Sequence, residues 1–223
     1  MRVPVAMWAI LLLATPVVAE EYKVQSVKEK APEASLSPEV SKELSETGIR
    51  VMEGDEAICT LWLTKTWPAK ADFTASADHL YPFLEGQLMG VLNFAGKGSD
   101  FRDQPLRKGT YTLRYSLQPQ DGNHVGTSDT RDFFLVIKAA DDKDPAPIKS
   151  QEALFQKAAK AAGSTHPAML SLKRVIKKAE ELPAIRHDEE HDLWILQFSG
   201  TSQIGDKATP TVLELVILGH AAE

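Results

Sequence analysis

Between Gly109 and Leu117 the chain alternates, with Tyr111, Leu113, Tyr115 and Leu117 on one side and Thr110, Thr112, Arg114 and Ser116 on the other. A period of two predicts a half-buried β-strand. From Phe133 to Ile137 the run is apolar on both sides, which predicts a strand covered on both faces. Pro119, Gly122 and Gly126 break the connection between them and mark it as a loop. These two strands read as the centre of the fold.

The same reasoning extends outward. Strands are predicted over Ile49–Met52 and Ala57–Thr64 around a Gly54-Asp55 turn, and over Gln87–Phe94, where Gly90 marks a bulge or a close backbone approach. Further strands are predicted over Ala184–Arg186, Leu193–Gly200 and Thr211–Leu218, with a loop through Gly205 and Pro210. Ser37-Pro38-Glu39 opens a short helix with Val40 and Leu44 inward and Gly48 placed to end it. Ser150 caps a second helix over Gln151–Ala162, ended by Gly163. Met169–Leu182 fits either a helix or a short strand followed by a turn, and Ala139–Pro147 reads as an acidic connector leaving the sheet for the surface. The expected architecture is mainly β: an antiparallel β-sandwich, jelly-roll or immunoglobulin-like, with one or two helices inserted before the C-terminal strands. It occupies 37–223 with the helical insertion at about 150–182, behind a flexible leader over 20–36.

Composition narrows the function classes. The chain has 223 residues, 43% of them hydrophobic, and its formal net charge of -6 argues against a binder of nucleic-acid backbones. Arg2 precedes an apolar run from Val5 to Val18, and Val17-Val18-Ala19 supplies the small residues of a cleavage site. Residues 1–19 therefore read as a signal peptide and the protein as secreted or periplasmic. The run is shorter than the roughly 20 residues a spanning helix needs, so no stable membrane insertion is expected after cleavage. Cys59, the sole cysteine, lies on an alternating apolar face and reads as a small buried hydrophobe.

Candidate chemistry is sparse. His187-Asp188-Glu189-Glu190-His191 matches the His-x-x-Glu-His string of inverted zincins, but Pro183 before it and an apolar strand after it predict a solvated hairpin turn. The loop after Leu117 gathers Asp121, Asn123, His124, Asp129, Arg131 and Asp132, residue types that build turns and also orient polar ligands. Trp67, in a Thr-Trp-Pro loop, is the aromatic expected to be exposed beside them. The leading expectation is a non-enzymatic binding protein that takes a small molecule or an envelope protein through these residues, with no cofactor. The alternatives are a metal-dependent enzyme or metal-binding protein, holding a divalent metal with His124, His166, His187 and His191, and a structural or accessory envelope protein.

Gly109-x-Tyr111-Thr-Leu-Arg-Tyr115, Pro119-x-Asp121-Gly-x-His124-x-Gly126, Arg131-Asp132-Phe133 and Asp142-x-Asp144-Pro145 resemble a family of uncharacterised secreted bacterial β-sandwich proteins. The resemblance runs from Ser37 to the C-terminus and is most marked in the central stretch. It implies export and a β fold, and it carries over no activity and no catalytic residue.

Overall fold

The computed structural model describes residues 22–121 and 128–221. In chain order the elements are β1 (Tyr22–Val27), α1 (Pro38–Glu43), β2 (Gly48–Glu53), β3 (Glu56–Leu63), β4 (Trp67–Pro68), β5 (Leu88–Phe94), β6 (Gly98–Ser99) and β7 (Pro105–Leu106). There follow β8 (Gly109–Leu117), β9 (Asp132–Lys138), α2 (Gln151–Ala162), β10 (Met169–Lys173), β11 (Ala184–Asp188), β12 (Leu193–Ile204) and β13 (Lys207–Leu218). The hydrogen-bonded order is β1-β2-β3-β5-β8-β9-β10-β13-β12-β11, and β4 joins β12 in parallel. β6 and β7 make a separate two-stranded ribbon.

The mainly β expectation holds, and the sheet is mixed where an antiparallel sandwich was expected. One mixed sheet of eleven strands curls into a half-barrel, so the face that would need a second sheet above it is buried against itself. Leu61, Leu92, Tyr115, Phe134, Phe198 and Leu215, from six different strands, fill that inner face. The outermost strands of the row come together without forming a ladder, and Tyr22 meets Trp194 edge to face with ring centroids 4.8 Å apart.

The outer face is covered piece by piece. Ser37 caps α1, its hydroxyl accepting from the Val40 amide at 3.2 Å, and Val40 and Leu44 cover Trp62, Leu88 and Val91. The helix ends at Glu43, short of the predicted stop; Gly48 instead opens β2, where a Cβ would lie 2.8 Å from the Trp62 ring nitrogen. Ser150 caps α2 and Gly163, at φ 70°, ends it, as predicted. Leu154 and Ala158 of α2 pack on Leu135 and Ile137 of β9. Gly90 combines both predicted roles: the β5–β8 register shifts beside it, and a Cβ there would meet the Trp62 carbonyl at 2.4 Å.

The polar side of β8 is buried as well. Arg114 is 0% exposed, and its Nε and Nη2 donate to the two carboxylate oxygens of Asp142 at 2.8 and 2.9 Å. Its Nη1 donates to the carbonyls of Gly86 and Ala146 at 2.9 and 2.8 Å, and Nη2 also reaches the Asp144 carbonyl. Thr112 adds a hydroxyl to Asp142. The connector expected to leave for the surface is thus clamped to the sheet, because five guanidinium N–H donors need carbonyls and a carboxylate once they are buried.

Three further expectations change. Residues 22–27 of the expected leader pair with β2 along their whole length, Tyr22 and Val24 packing on the core. Of the expected insertion at 150–182 only α2 is helical, and of the two readings open for Met169–Leu182 the short strand holds, as Met169–Lys173. The loop expected through Pro210 is part of β13, where Pro210 pairs with Thr201. A residue without an N–H is tolerated there because β10 contacts β13 only at Glu214 and Leu215, which leaves that edge of Pro210 free.

Candidate functional site

The β8–β9 hairpin ends at the pair Leu117 and Asp132, where its loop begins. Beyond it, Gln118 and Arg131 stay together: the Gln118 amide donates to the Arg131 carbonyl at 2.7 Å, and Arg131 Nε donates back to the Gln118 carbonyl at 2.8 Å. The Arg131 amide donates to the Asp78 carbonyl at 2.7 Å, which brings the irregular segment 76–83 against the hairpin. Residues 128–130 are tied to β10: the Ser128 and Ser171 hydroxyls lie 3.2 Å apart, Lys173 Nζ meets the Asp129 carboxylate at 2.8 Å, and the Thr130 hydroxyl donates to the Leu172 carbonyl at 2.7 Å.

Asp132 is the hub of this junction. Its alternation with Phe134 turns it to the inner face, where it is 0% exposed. Oδ1 accepts the Tyr115 hydroxyl at 2.5 Å and the Tyr81 amide at 3.3 Å, and Oδ2 accepts the Leu80 amide at 2.9 Å. Burial pushes its pKa above the usual carboxylate range, and the bonds from Tyr115 and the Leu80 amide only partly offset this. Burial and the same carboxylate hold the Tyr115 phenol far above its ordinary value, so it remains a donor. Asp78 lies outside, its pKa lowered chiefly by the Ser76 hydroxyl 2.7 Å away, with the Arg131 charge adding to the effect.

On the opposite side of the same strands lies an apolar pocket of about 150 Å³. Leu117, Pro119, Phe133, Leu135, Phe155 and Met169 form most of its wall, and Ser116, Gln118, His166 and Pro167 complete it. It exists because α2 crosses β9 at Leu154 and Ala158 and leaves Phe155 half-buried at the side, facing the strand across a gap. A cavity of this size with such walls accommodates an aromatic ring. Polar groups stand at the rim: His166 Nδ1 is 3.2 Å from the Pro167 carbonyl, and the Glu85 carboxylate lies 3.5 Å from the Ser116 hydroxyl.

The residues picked from sequence are therefore divided. Asp129, Arg131 and Asp132 belong to the junction, while Asp121 begins the loop at the surface. Asn123 and His124 lie outside the described residues. Trp67 is corrected from an exposed ligand contact to a core residue: it is 0% exposed, donates to the Met89 carbonyl at 3.0 Å and packs flat under Gly200, where a Cβ would sit 2.1 Å from the ring. The three described histidines of the metal alternative are not brought together. His166 stands at the pocket rim, His187 stacks on Trp194 with Nε2 2.9 Å from Asp192, and His191 bonds Asp188 at 3.2 Å across the hairpin turn that replaces the zincin helix. Among the described residues, no three His, Cys, Asp or Glu side chains are grouped to hold a metal. Cys59 is buried and its thiol is pushed up to about 12 by burial, which keeps it protonated and inert.

Sequence reasoning missed the pocket wall because Leu117, Phe133, Leu135 and Met169 satisfy ordinary strand patterns in their own elements. The one available signal was Phe155, a large aromatic beside the Leu154–Ala158–Ala161 stripe of α2 instead of on it. No protein-family model, curated protein or solved structure matches the chain.

Proposed function

We propose that the protein is an exported, non-enzymatic binding protein that seats the apolar or aromatic end of a small ligand in the pocket between β9 and α2. The observation that carries this reading is the pocket itself: about 150 Å³ with nearly all of its wall apolar, placed at the root of the loop between Gln118 and Arg131. Ligand seats combine such walls with a few polar groups at the mouth, and His166, Gln118 and Ser116 supply them here. A rigid hairpin carrying a polar loop suits recognition better than catalysis, since the buried carboxylate of the junction, Asp132, is spent on holding the 76–83 segment. Export rests on the N-terminal charged and apolar pattern, and the resemblance to secreted β proteins agrees with it.

Indole, titrated into isotopically labelled protein, tests the proposal. Amide shifts are expected at Leu117, Phe133, Phe155 and Met169, and Phe155→Trp, which fills the gap, should abolish them without changing the far-ultraviolet spectrum. Shifts that persist unchanged in Phe155→Trp, or none at all up to the solubility of indole, would overturn it.

A further inference from the structure

A second cleft lies away from that pocket, between the segment leading into α1, the turn before β8 and the end of β9. Its volume is about 760 Å³, within the range of sites that enclose a small ligand. Arg107, Lys108, Lys138 and Lys143 line it, and Glu39 is the only carboxylate among its walls. In a chain with 25 basic and 31 acidic residues, this is a local reversal of sign. Among the described residues none of the four cations forms an ion pair.

The carboxylates nearest in sequence are committed elsewhere. Asp141 bonds Lys160 Nζ at 2.7 Å and attracts Lys138 only at longer range, Asp142 is held by Arg114, and Asp144 accepts the Ala146 amide at 2.9 Å. The walls are fixed in place: Tyr111 donates to the Arg107 carbonyl at 2.7 Å, and the Ser37 hydroxyl reaches the Lys143 carbonyl at 2.5 Å. Tyr111 and Ala139, each 2% exposed, form an apolar floor with Leu36 and Pro38. Four cations line a cleft whose one carboxylate, Glu39, pairs with none of them, and like charges held together raise the local potential for an anion.

We infer that this cleft binds a small organic anion, its apolar body lying on Tyr111, Ala139, Leu36 and Pro38 and its acidic groups facing Arg107, Lys108, Lys138 and Lys143. The pocket beside Phe155 has no Lys or Arg in its wall, so the two sites take different chemistry.

The probe is 8-anilinonaphthalene-1-sulfonate, compared with its uncharged relative N-phenyl-1-naphthylamine in the full chain at low ionic strength. The sulfonate should bind, and Arg107→Gln/Lys108→Gln/Lys143→Gln should weaken it at least about tenfold while the melting temperature stays put, since all three side chains are exposed and unpaired. The charge-conserving Arg107→Lys/Lys108→Arg/Lys143→Arg should keep the affinity. Raising the salt on the unaltered protein gives a readout that needs no variant: affinity should fall steadily as screening grows. Phe155→Trp should leave sulfonate binding untouched, which separates this site from the apolar pocket. Equal binding of the sulfonate by wild type and the triple Gln variant, no dependence on salt, or loss of sulfonate binding in Phe155→Trp would each overturn the inference.

Discussion

Asp132 and Asp142 flank the same strand, one at the start of β9 and one just past its end, and both are buried, yet the fold treats them in opposite ways. Asp142 meets a guanidinium in two-pronged geometry, and the pair fastens a connector to the outer face. Asp132 takes its hydrogen bonds from neutral donors, a phenol and two amides, with His79 a lesser electrostatic influence, and fastens the 76–83 segment to the inner face. The lesson is that a carboxylate can staple a loop with or without a counter-charge, and the choice decides how the staple answers to pH. Paired, it depends on the partner; unpaired, it carries its own desolvation, seen in its raised pKa.

The largest effect should come from Asp142→Ala, which strands a fully buried guanidinium and is expected to cost about 3–5 kcal/mol in urea unfolding. A loss under about 1 kcal/mol would break the comparison. Asp132→Ala leaves three donors without their acceptor and should cost about 2–3 kcal/mol, with hydrogen exchange accelerated first at Leu80 and Tyr81. The pH dependence sharpens the contrast. Because the folded-state pKa of Asp132 is raised above an unfolded value of about 3.9, the native form holds its proton longer. The stabilisation this gives is complete below the unfolded pKa and is lost as pH climbs through the folded one. Wild type should therefore lose stability relative to Asp132→Asn as pH rises from about 4; a difference that is flat with pH would remove the distinction between the two staples. Smallest of all is Lys160→Ala. It breaks the surface pair of Asp141, the residue next to Asp142, and should change stability by about 0–1 kcal/mol, less still at high salt.

Local patterns were legible wherever the physics is local. Alternation located β8, an apolar run located β9, turn signals located the β2–β3 hairpin, and Ser37, Ser150 and Gly163 marked the start of α1 and both ends of α2. Alternation also mislabelled the Thr112–Arg114–Ser116 face as solvent, because its cover arrives 28 residues later in Asp142. Tyr22–Val27 was hidden by charged neighbours, although Tyr22 and Val24 already carry the alternation. Of the candidate site, Asp129, Arg131 and Asp132 were found by residue type, yet their partners Asp78, Leu80 and Lys173 lie dozens of residues away. The curl of the sheet was not legible at all, since it depends on which strand edges meet, and an alternation pattern fixes faces but not neighbours.

The parallel pairing of Trp67 and Pro68 with Ser202 and Gln203 sets a timetable. The stretch after β3 is made early, whereas the strand it must join lies near the end of the chain. Until the last hairpin arrives, the Trp67 indole has Phe83 and the Met89 carbonyl beside it but no Gly200 against its ring. Contacts of such long sequence separation form late and slow folding, so burial of this indole marks completion of the molecule. A chain truncated before Leu193 should leave Trp67 wet, with its emission shifted to the red.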